Sequence, residues 1–162
     1  MKMAKKTDKT NVMRILDQMK IHYEYNVFDN ERQDVFEVSQ SLGRNPACVF
    51  KTLVTSNRSK EYYVFMVPIE KELDLKKAAK VAGEKALEMI PQKELLPLTG
   101  YVHGGCSPIG MKKPFKTYID QTAADAERIY FSGGRVGYQL GLPLGDLQKV
   151  IDVFPADITK DS

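Results

Sequence analysis

The stretch GYVHGGCSPIGMKK, residues 100–113, holds the most unusual local chemistry of the chain. Its glycines permit positive φ and let another molecule approach the backbone closely. Pro108 fixes its own φ and pushes Ser107 toward extended geometry. The stretch is therefore predicted to form a rigid loop with accessible backbone N–H groups, followed at once by Lys112 and Lys113. Such a loop suits a small anionic or carbonyl-bearing ligand, and it is equally compatible with a structural turn between two strands.

Outward from this loop, hydrophobic periodicity predicts many short elements. Strands are predicted at 21–28, 48–55, 62–67, 86–90, 101–103, 116–120, 129–132 and 136–140. Helices are predicted at 10–20, 35–42, 73–81 and 143–151, with a helical turn at 91–96 and only a weak signal from 154 to 162. Because helices interrupt the strands irregularly, the pattern is not one of parallel βαβ units. It predicts an α+β single domain with a mixed, barrel-like β-sheet and surrounding helices.

Length and composition narrow the class of protein. The 162 residues fit one domain, and 43% hydrophobic with 28% charged residues is typical of a globular chain. No apolar run approaches the ~18 residues of a membrane span, and the basic N-terminus lacks the apolar segment of a signal peptide. Two cysteines form neither a disulfide framework nor a complete metal site. We therefore expect a cytoplasmic protein without a metal or cofactor.

The lysines are clustered although the net charge is only +3. Three clusters on one face would follow a phosphate backbone, while ordinary solvated lysines would give the same sequence pattern. The clusters are Lys2, Lys5, Lys6 and Lys9, then Lys76, Lys77 and Lys80, then Lys112, Lys113 and Lys116.

Four single residues are candidates for chemistry. Lys51 interrupts an apolar strand, so it either extends to solvent from an edge strand or projects into a cavity, where an ammonium binds a phosphate or an oxyanion. His103 is a candidate general base without an evident nucleophile or acidic partner. Cys106 fits a thiol nucleophile and a small packed side chain equally well. Ser132, before Gly133-Gly134, fits a pocket wall or a plain hairpin turn.

Four motifs in order carry a family resemblance. They are FKTL at 50–53, LDLKKAAK at 73–80, TGYVHGGCSPIGMKK at 99–113 and IYFSGG at 129–134. With these motifs the chain resembles the YbaK/EbsC branch of the prolyl-tRNA editing family, the bacterial Cys-tRNA(Pro) deacylases. The similarity extends from about residue 12 to residue 158. It divides the chain into a flexible basic tail at 1–9, an editing domain at 10–158 and a C-terminal tail at 159–162.

The resemblance implies a fold and an activity. The fold is a mixed, barrel-like sheet with helices around it. The activity is trans-editing: removal of cysteine from Cys-tRNA(Pro), and in some members from Cys-tRNA(Cys), close to prolyl-tRNA synthetase. The implied mechanism is substrate-assisted, with the cysteine thiol attacking its own ester carbonyl to give a cyclic thiolactone. Such an enzyme needs no triad, metal or catalytic cysteine of its own.

The resemblance also assigns residues. Lys51 matches the family's key lysine and is the predicted catalytic residue, anchoring the terminal adenosine or its phosphate rather than acting as a base. The predicted substrate-binding residues are Phe28, Thr52, Gly104, Gly105, Cys106, Ser107, Pro108, Gly110 and Ser132. The predicted tRNA-binding residues are Lys76, Lys77, Lys80, Lys112 and Lys113. The chain departs from the family at Phe28, commonly a tyrosine, and at Gln139, often an aspartate or another small polar residue.

Other functions stay open at this point. Within the same class, the substrate could be Ala-tRNA(Pro). In other classes, the chain could be a non-catalytic module that binds the synthetase or the acceptor stem, or a hydrolase of small esters or thiolactones.

Overall fold

A computed structural model describes residues 9–28 and 42–161. Within these residues the chain forms eight strands and four helices. The strands are β1 (Glu24–Val27), β2 (Phe50–Ser56), β3 (Tyr62–Pro68), β4 (Glu88–Met89), β5 (Lys116–Asp120), β6 (Ile129–Ser132), β7 (Tyr138–Leu142) and β8 (Val153–Ala156). The helices are α1 (Asn11–Gln18), α2 (Leu75–Ala82), α3 (Leu95–Thr99) and α4 (Leu144–Val150), and short 3₁₀ turns lie at Pro46–Cys48, Gln92–Glu94 and Gln121–Asp125.

The strands form two sheets rather than one closed barrel. The smaller sheet is antiparallel with strand order β1-β7-β6. The larger sheet has the order β4-β2-β3-β5-β8; β2 pairs antiparallel with β3 and β4, whereas β3–β5 and β5–β8 are parallel. A parallel bridge between Val49 and Tyr130 connects the two sheets at the start of β2. The predicted mixed α+β domain is confirmed, and the barrel-like closure is reduced to this single bridge.

Two hydrophobic clusters occupy the two faces of the larger sheet. One lies between the two sheets and contains Phe50, Met66, Ile119 and Leu140. The other lies beneath α2 and contains Phe65, Val67, Tyr118 and Ile158. Alternation along β3 explains the division, because Val64 and Met66 face the first cluster while Phe65 and Val67 face the second. α1 joins the first cluster through Val12, Met13 and Leu16, all of which are buried.

Local capping explains where the helices begin and end. The Thr10 side chain accepts a hydrogen bond from the Met13 N–H at 3.2 Å and caps α1. Asp74 caps α2 by accepting from the N–H groups of Lys76 and Lys77. Gly83 then ends α2 with φ of +77°, a conformation that glycine adopts without steric cost.

Several predicted elements are shorter, shifted or absent. The strands predicted at 21–28 and 86–90 contract to β1 and β4, and the strand predicted at 136–140 begins two residues later as β7. The strand predicted at 101–103 is wrong: Tyr101 is buried and its hydroxyl donates to the Ile109 carbonyl, which bends the segment into a loop. β8 forms at Val153–Ala156, although the sequence predicted no strand there and showed only a weak signal from 154 to 162. The predicted tail at 1–9, apart from its last residue, and nearly all of the helix predicted at 35–42 lie outside the described residues.

The end of the described chain is attached to the fold. Thr159 forms an antiparallel bridge with Leu73, and the Lys160 N–H donates to the Glu72 carbonyl at 3.0 Å. These bonds hold the last residues against the loop that precedes α2. The proposed division of the chain at 158 and 159 stays a prediction.

Candidate active site

A cavity of about 410 Å³ opens where the two sheets diverge. β4 pairs with β2 only at Thr55 and Ser56, and the bridge to β6 meets the chain at Val49. Between these contacts, this edge of β2 has no neighbouring strand in the described part of the chain, and the cavity occupies the gap. It is lined by Phe28, Val49, Phe50, Lys51, Thr52, Leu53, Ile69, Leu95, His103, Gly104, Cys106, Phe131, Ser132, Gly137, Tyr138 and Gln139.

Lys51 brings a positive charge into this largely apolar cavity. The lining contains no aspartate or glutamate, and no hydrogen bond or ion pair engages the Lys51 ammonium within the described residues. Of the two alternatives left by the sequence, the cavity position therefore describes Lys51 better than a solvent-directed edge lysine. An unpaired ammonium beside an open apolar volume favours an anionic or electron-rich ligand atom.

Two buried polar atoms in the cavity wall lack partners. The Thr52 hydroxyl and the Gln139 Oε1 atom are inaccessible to solvent and make no hydrogen bond in the described structure. Gln139 is only 4% exposed. Leaving such a group unpaired typically costs about 1–3 kcal/mol, so both atoms are suited to bind a polar ligand. Sequence reasoning noted Gln139 only as a departure from the family pattern; its burial among apolar residues of β7 was not visible there.

The glycine-rich loop is divided between two surfaces. Gly104 and Cys106 line the cavity, while Pro108 and Gly110 line a separate cleft on the other side of the loop. Gly105 lies between them, buried against the turn before β7. Of the ten residues predicted for catalysis or substrate binding, the cavity thus brings together Lys51, Phe28, Thr52, Gly104, Cys106 and Ser132. It leaves out Gly105, Ser107, Pro108 and Gly110.

The loop offers free main-chain donors at the cavity. The Gly105 N–H donates to the Val102 carbonyl at 2.9 Å. The N–H groups of its two neighbours, Gly104 and Cys106, make no hydrogen bond to any described residue. Ser107 is fully buried, and its hydroxyl accepts from the Ile109 N–H at 3.3 Å, which fixes the loop from below. Gly104 and Cys106 both line the cavity, so two main-chain donors without a partner among the described residues belong to its wall.

The side chains that resemble nucleophiles are not activated. Burial raises the pKa of the Cys106 thiol to about 12, so this thiol stays protonated at neutral pH. Burial also raises the pKa of Cys48. The Ser132 hydroxyl accepts from the Gly134 N–H at 3.1 Å, and no hydrogen bond joins it to His103. Among the described residues, the cavity therefore holds charge and hydrogen-bond donors but no assembled nucleophile–base pair.

The predicted tRNA-binding lysines lie on two separate elements. Lys76, Lys77 and Lys80 belong to α2, none of whose residues lines the cavity. The Lys77 ammonium is already engaged by Asp161 at 3.0 Å, by Asp157 at 3.1 Å and by the Thr159 carbonyl at 2.8 Å. The hydrogen bonds to Asp161 and Asp157 raise the pKa of Lys77. Lys112 and Lys113, by contrast, directly follow the glycine loop.

Comparison with known families agrees with this geometry. A model of the aminoacyl-tRNA editing domain matches residues 29–150, which include β2, the glycine loop and β7. The chain belongs to this family. The editing-domain match spans every described residue that lines the cavity except Phe28.

Two kinds of curated relative are similar to this editing-domain chain. The "Putative Cys-tRNA(Pro)/Cys-tRNA(Cys) deacylase EbsC" of Enterococcus faecalis is 44% identical over 144 residues, covering 86% of this chain and 88% of the relative. Proline–tRNA ligase of Burkholderia vietnamiensis is 27% identical over 118 residues, covering 67% of this chain. That match spans only 20% of the ligase, so it concerns one part of a much longer protein.

Solved structures share the fold. The crystal structure described as "a putative trans-editing enzyme for prolyl tRNA synthetase" has a TM-score of 0.82 at 22% identity and covers 94% of this chain. An epitope-presenting scaffold from computational design has a TM-score of 0.83, also at 22% identity, over 93% of this chain. At these identities the likeness concerns the fold alone.

No described helix is long and apolar enough to cross a membrane. No group of three or more His, Cys, Asp or Glu side chains in the described ranges is placed to hold a metal ion.

Proposed function

We propose that this protein is a trans-editing deacylase that releases cysteine from Cys-tRNA(Pro), with Cys-tRNA(Cys) as a second substrate. The observation that carries the proposal is the cavity at the open edge of β2, whose wall contains the Lys51 ammonium and the free N–H groups of Gly104 and Cys106. None of the described side chains in this wall is an activated nucleophile. The 44% identical relative named for this activity supports the choice of amino acid and of tRNA.

The proposed mechanism takes its nucleophile from the substrate, because the described cavity wall holds no activated nucleophile. In the proposed step, the substrate's own thiol sulfur attacks the ester carbonyl carbon, the carbon–oxygen bond to the ribose breaks, and the thiol proton passes to the departing ribose oxygen. The products are tRNA and a cyclic thiolactone of cysteine. Holding sulfur and carbonyl at attack geometry lowers the barrier by up to ~7–11 kcal/mol, a contribution that an apolar, shaped cavity can make without a reactive side chain.

The polar atoms of the wall have distinct parts in this proposal. The Gly104 and Cys106 N–H groups stabilise the oxyanion that forms as sulfur attacks. Lys51 anchors the terminal adenosine or its phosphate. The Gln139 Oε1 atom, an acceptor without a partner, receives a hydrogen bond from the substrate's amino group, for which the described lining supplies no carboxylate.

The setting of the reaction follows from its substrate. The enzyme acts in the cytoplasm on aminoacylated tRNA, and prolyl-tRNA synthetase is the proposed partner. The similarity to a segment of proline–tRNA ligase supports this partner, because the ligase contains a related region within its own chain.

The test is release of cysteine from Cys-tRNA(Pro) by the wild type and by Lys51→Ala. We expect the substitution to reduce kcat/KM by about 10- to 100-fold, because a hydrogen bond that involves a charged group contributes about 1.5–3 kcal/mol. Ala-tRNA(Pro) is the matched substrate, since alanine lacks the thiol and should be released far more slowly. Equal release of alanine and cysteine would refute the substrate-assisted step, and undiminished turnover by Lys51→Ala would refute the role of Lys51.

A further inference from the structure

A second cleft lies directly behind the glycine loop. Its volume is about 640 Å³, and its walls come from the end of the loop, the start of β5, the end of α4 and the start of β8. Cys106 lines the first cavity and Pro108, two residues later, lines the second cleft. Two residues of chain span at most about 7 Å. The two openings therefore share one thin wall.

The second cleft is positively charged. Lys113, Lys116 and Lys149 line it, against a single carboxylate, Asp152. Lys149 forms an ion pair with Asp146 at 3.2 Å. Lys113 and Lys116 are exposed, and no described acidic side chain lies within ion-pair distance of either. Two uncompensated ammonium groups in a concave surface suit an anionic ligand with more than one charge.

An exposed aromatic residue belongs to the wall of the same cleft. Phe154 on β8 lines the cleft and is 47% exposed, although it is a large apolar side chain. The Phe154 ring contacts the Tyr118 ring at a tilted angle, with 6.1 Å between the ring centroids. An accessible ring beside unpaired lysines is the combination with which proteins bind single-stranded nucleic acid, since bases stack on the ring and lysines contact the phosphates.

From these observations we propose that the second cleft binds the polynucleotide next to the terminal nucleotide of the substrate, with Lys113 and Lys116 on phosphates and Phe154 stacked on a base. The inference rests on the proposed function, in which the terminal aminoacyl nucleotide occupies the first cavity. Because the glycine loop contributes to the walls of both openings, the nucleotides next to the terminal one are placed near the second cleft in this proposal. The lysines of α2 are the competing RNA surface, and they line neither opening.

Binding of uncharged tRNA(Pro), followed as a function of salt in the absence of synthetase, separates the two surfaces. Lys113→Ala combined with Lys116→Ala should lower the slope of log affinity against log salt by roughly 1.4 to 1.8, from two phosphate contacts at about 0.7 to 0.9 each. The matched control is Lys76→Ala combined with Lys80→Ala, which removes the same charge from α2 and should leave the slope unchanged. Phe154→Ala should weaken binding about fivefold or more, and Phe154→Tyr should retain it.

Other outcomes would refute the proposal that the second cleft binds the polynucleotide. An equal loss from both lysine pairs means a diffuse positive surface, and a loss confined to the α2 pair places the RNA there. Variants that bind tRNA normally but no longer co-elute with prolyl-tRNA synthetase would show that the cleft binds a protein.

A truncated substrate separates this inference from the proposed function. Cysteinyl-adenosine reaches only the first cavity, so the cleft variants should turn it over at the wild-type kcat/KM. A loss on this substrate would show that the substitutions disturb the loop instead and would refute the cleft. If the wild type releases cysteine from neither substrate, the deacylase proposal fails, while the tRNA-binding slopes still decide the cleft.

Discussion

Adding one methyl group at Gly105 tests whether the position of the loop controls the reaction. A Cβ at this residue would lie 2.8 Å from the backbone nitrogen of Val136 and 3.2 Å from the carbonyl carbon of Arg135. Both atoms are main chain, so no side-chain rotation relieves the overlap. The φ of Gly105 is not positive, and the expected effect is therefore steric.

The size of the effect follows from this distance. The loop and the turn must separate by about 0.6 Å to reach the 3.4 Å at which ordinary contact begins. A misplacement of 1 Å costs about 100-fold in rate, so a shift of this size predicts a loss in kcat/KM of somewhat more than tenfold. Overpacking also costs ~1–3 kcal/mol of stability, which lowers Tm by roughly 2–12 °C for a chain of this length.

The assay is cysteine release from Cys-tRNA(Pro) by Gly105→Ala, with thermal unfolding measured on the same preparation. Gly145→Ala is the matched control, because a Cβ there meets nothing within 4 Å and φ is not positive. That control should keep full activity and gain up to ~1 kcal/mol, since alanine is the better residue in a helix. Wild-type kcat/KM in a Gly105→Ala protein with a lowered Tm would refute the reasoning, because the loop would then have moved without consequence.

Three further predictions concern the cavity wall. Gln139→Met keeps the shape of a side chain that is 4% exposed and removes its unpaired acceptor; kcat/KM should fall about tenfold while Tm rises, and a fall in Tm with full activity would show the acceptor to be structural. Cys106→Ala should retain cysteine release at neutral pH, because the thiol is protonated there; complete loss of release in a folded variant would make Cys106 the nucleophile. The same variant tests pH dependence. An unfolded thiol ionises near pH 8.5, but in the fold the pKa is raised to about 12, so the folded state binds more protons and its stability falls as pH rises from about 9 toward 12. Urea unfolding of Cys106→Ala should show a shallower alkaline decline, and an unchanged decline would contradict this assignment.

Local signals in the sequence were sufficient for the ends of α2 and for the strands of the central hairpin, but not for α3, which extends to Thr99 beyond the helical turn predicted at 91–96. Asp74 and Gly83 mark the ends of α2 by mechanisms that need no tertiary contact, namely capping of N–H groups and a left-handed terminal residue. β2 and β3 lie where apolar runs predicted strands at 48–55 and 62–67, and they pair along their full length around a short polar turn.

Long-range pairing explains what local signals missed. β8 contains Pro155 and exposed residues, and it becomes a strand only because β5 provides a parallel neighbour, with Thr117 opposite Val153. Tyr101 is an aromatic residue of a type common in strands, yet it lies in a loop, where its hydroxyl donates a hydrogen bond to the Ile109 carbonyl. The formation of β8 depends on a strand that is distant in sequence, and the path of the loop depends on a side-chain hydrogen bond. Hydrophobic periodicity detects neither kind of contact.

The candidate site shows the same limit. Lys51 and the glycine loop were identified from motifs, but the sequence treated the loop as one surface. The structure places Gly104 in the cavity and Gly110 in the cleft behind it. The Gln139 oxygen is unpaired because it is buried and no hydrogen-bond donor of the described residues lies within reach of it. Neither the burial nor the missing donor can be inferred from a single sequence.

The free N–H groups at Gly104 and Cys106 have a consequence for mutational mapping. Alanine scanning deletes side chains, but every residue keeps its main-chain donor, so a scan would register the Lys51 and Gln139 side chains directly. In the loop it would register only packing effects such as the overlap at Gly105, and the two donors themselves would go undetected. Substitutions that add atoms, or ester linkages that replace a single backbone N–H with oxygen, are the perturbations to which such a site responds.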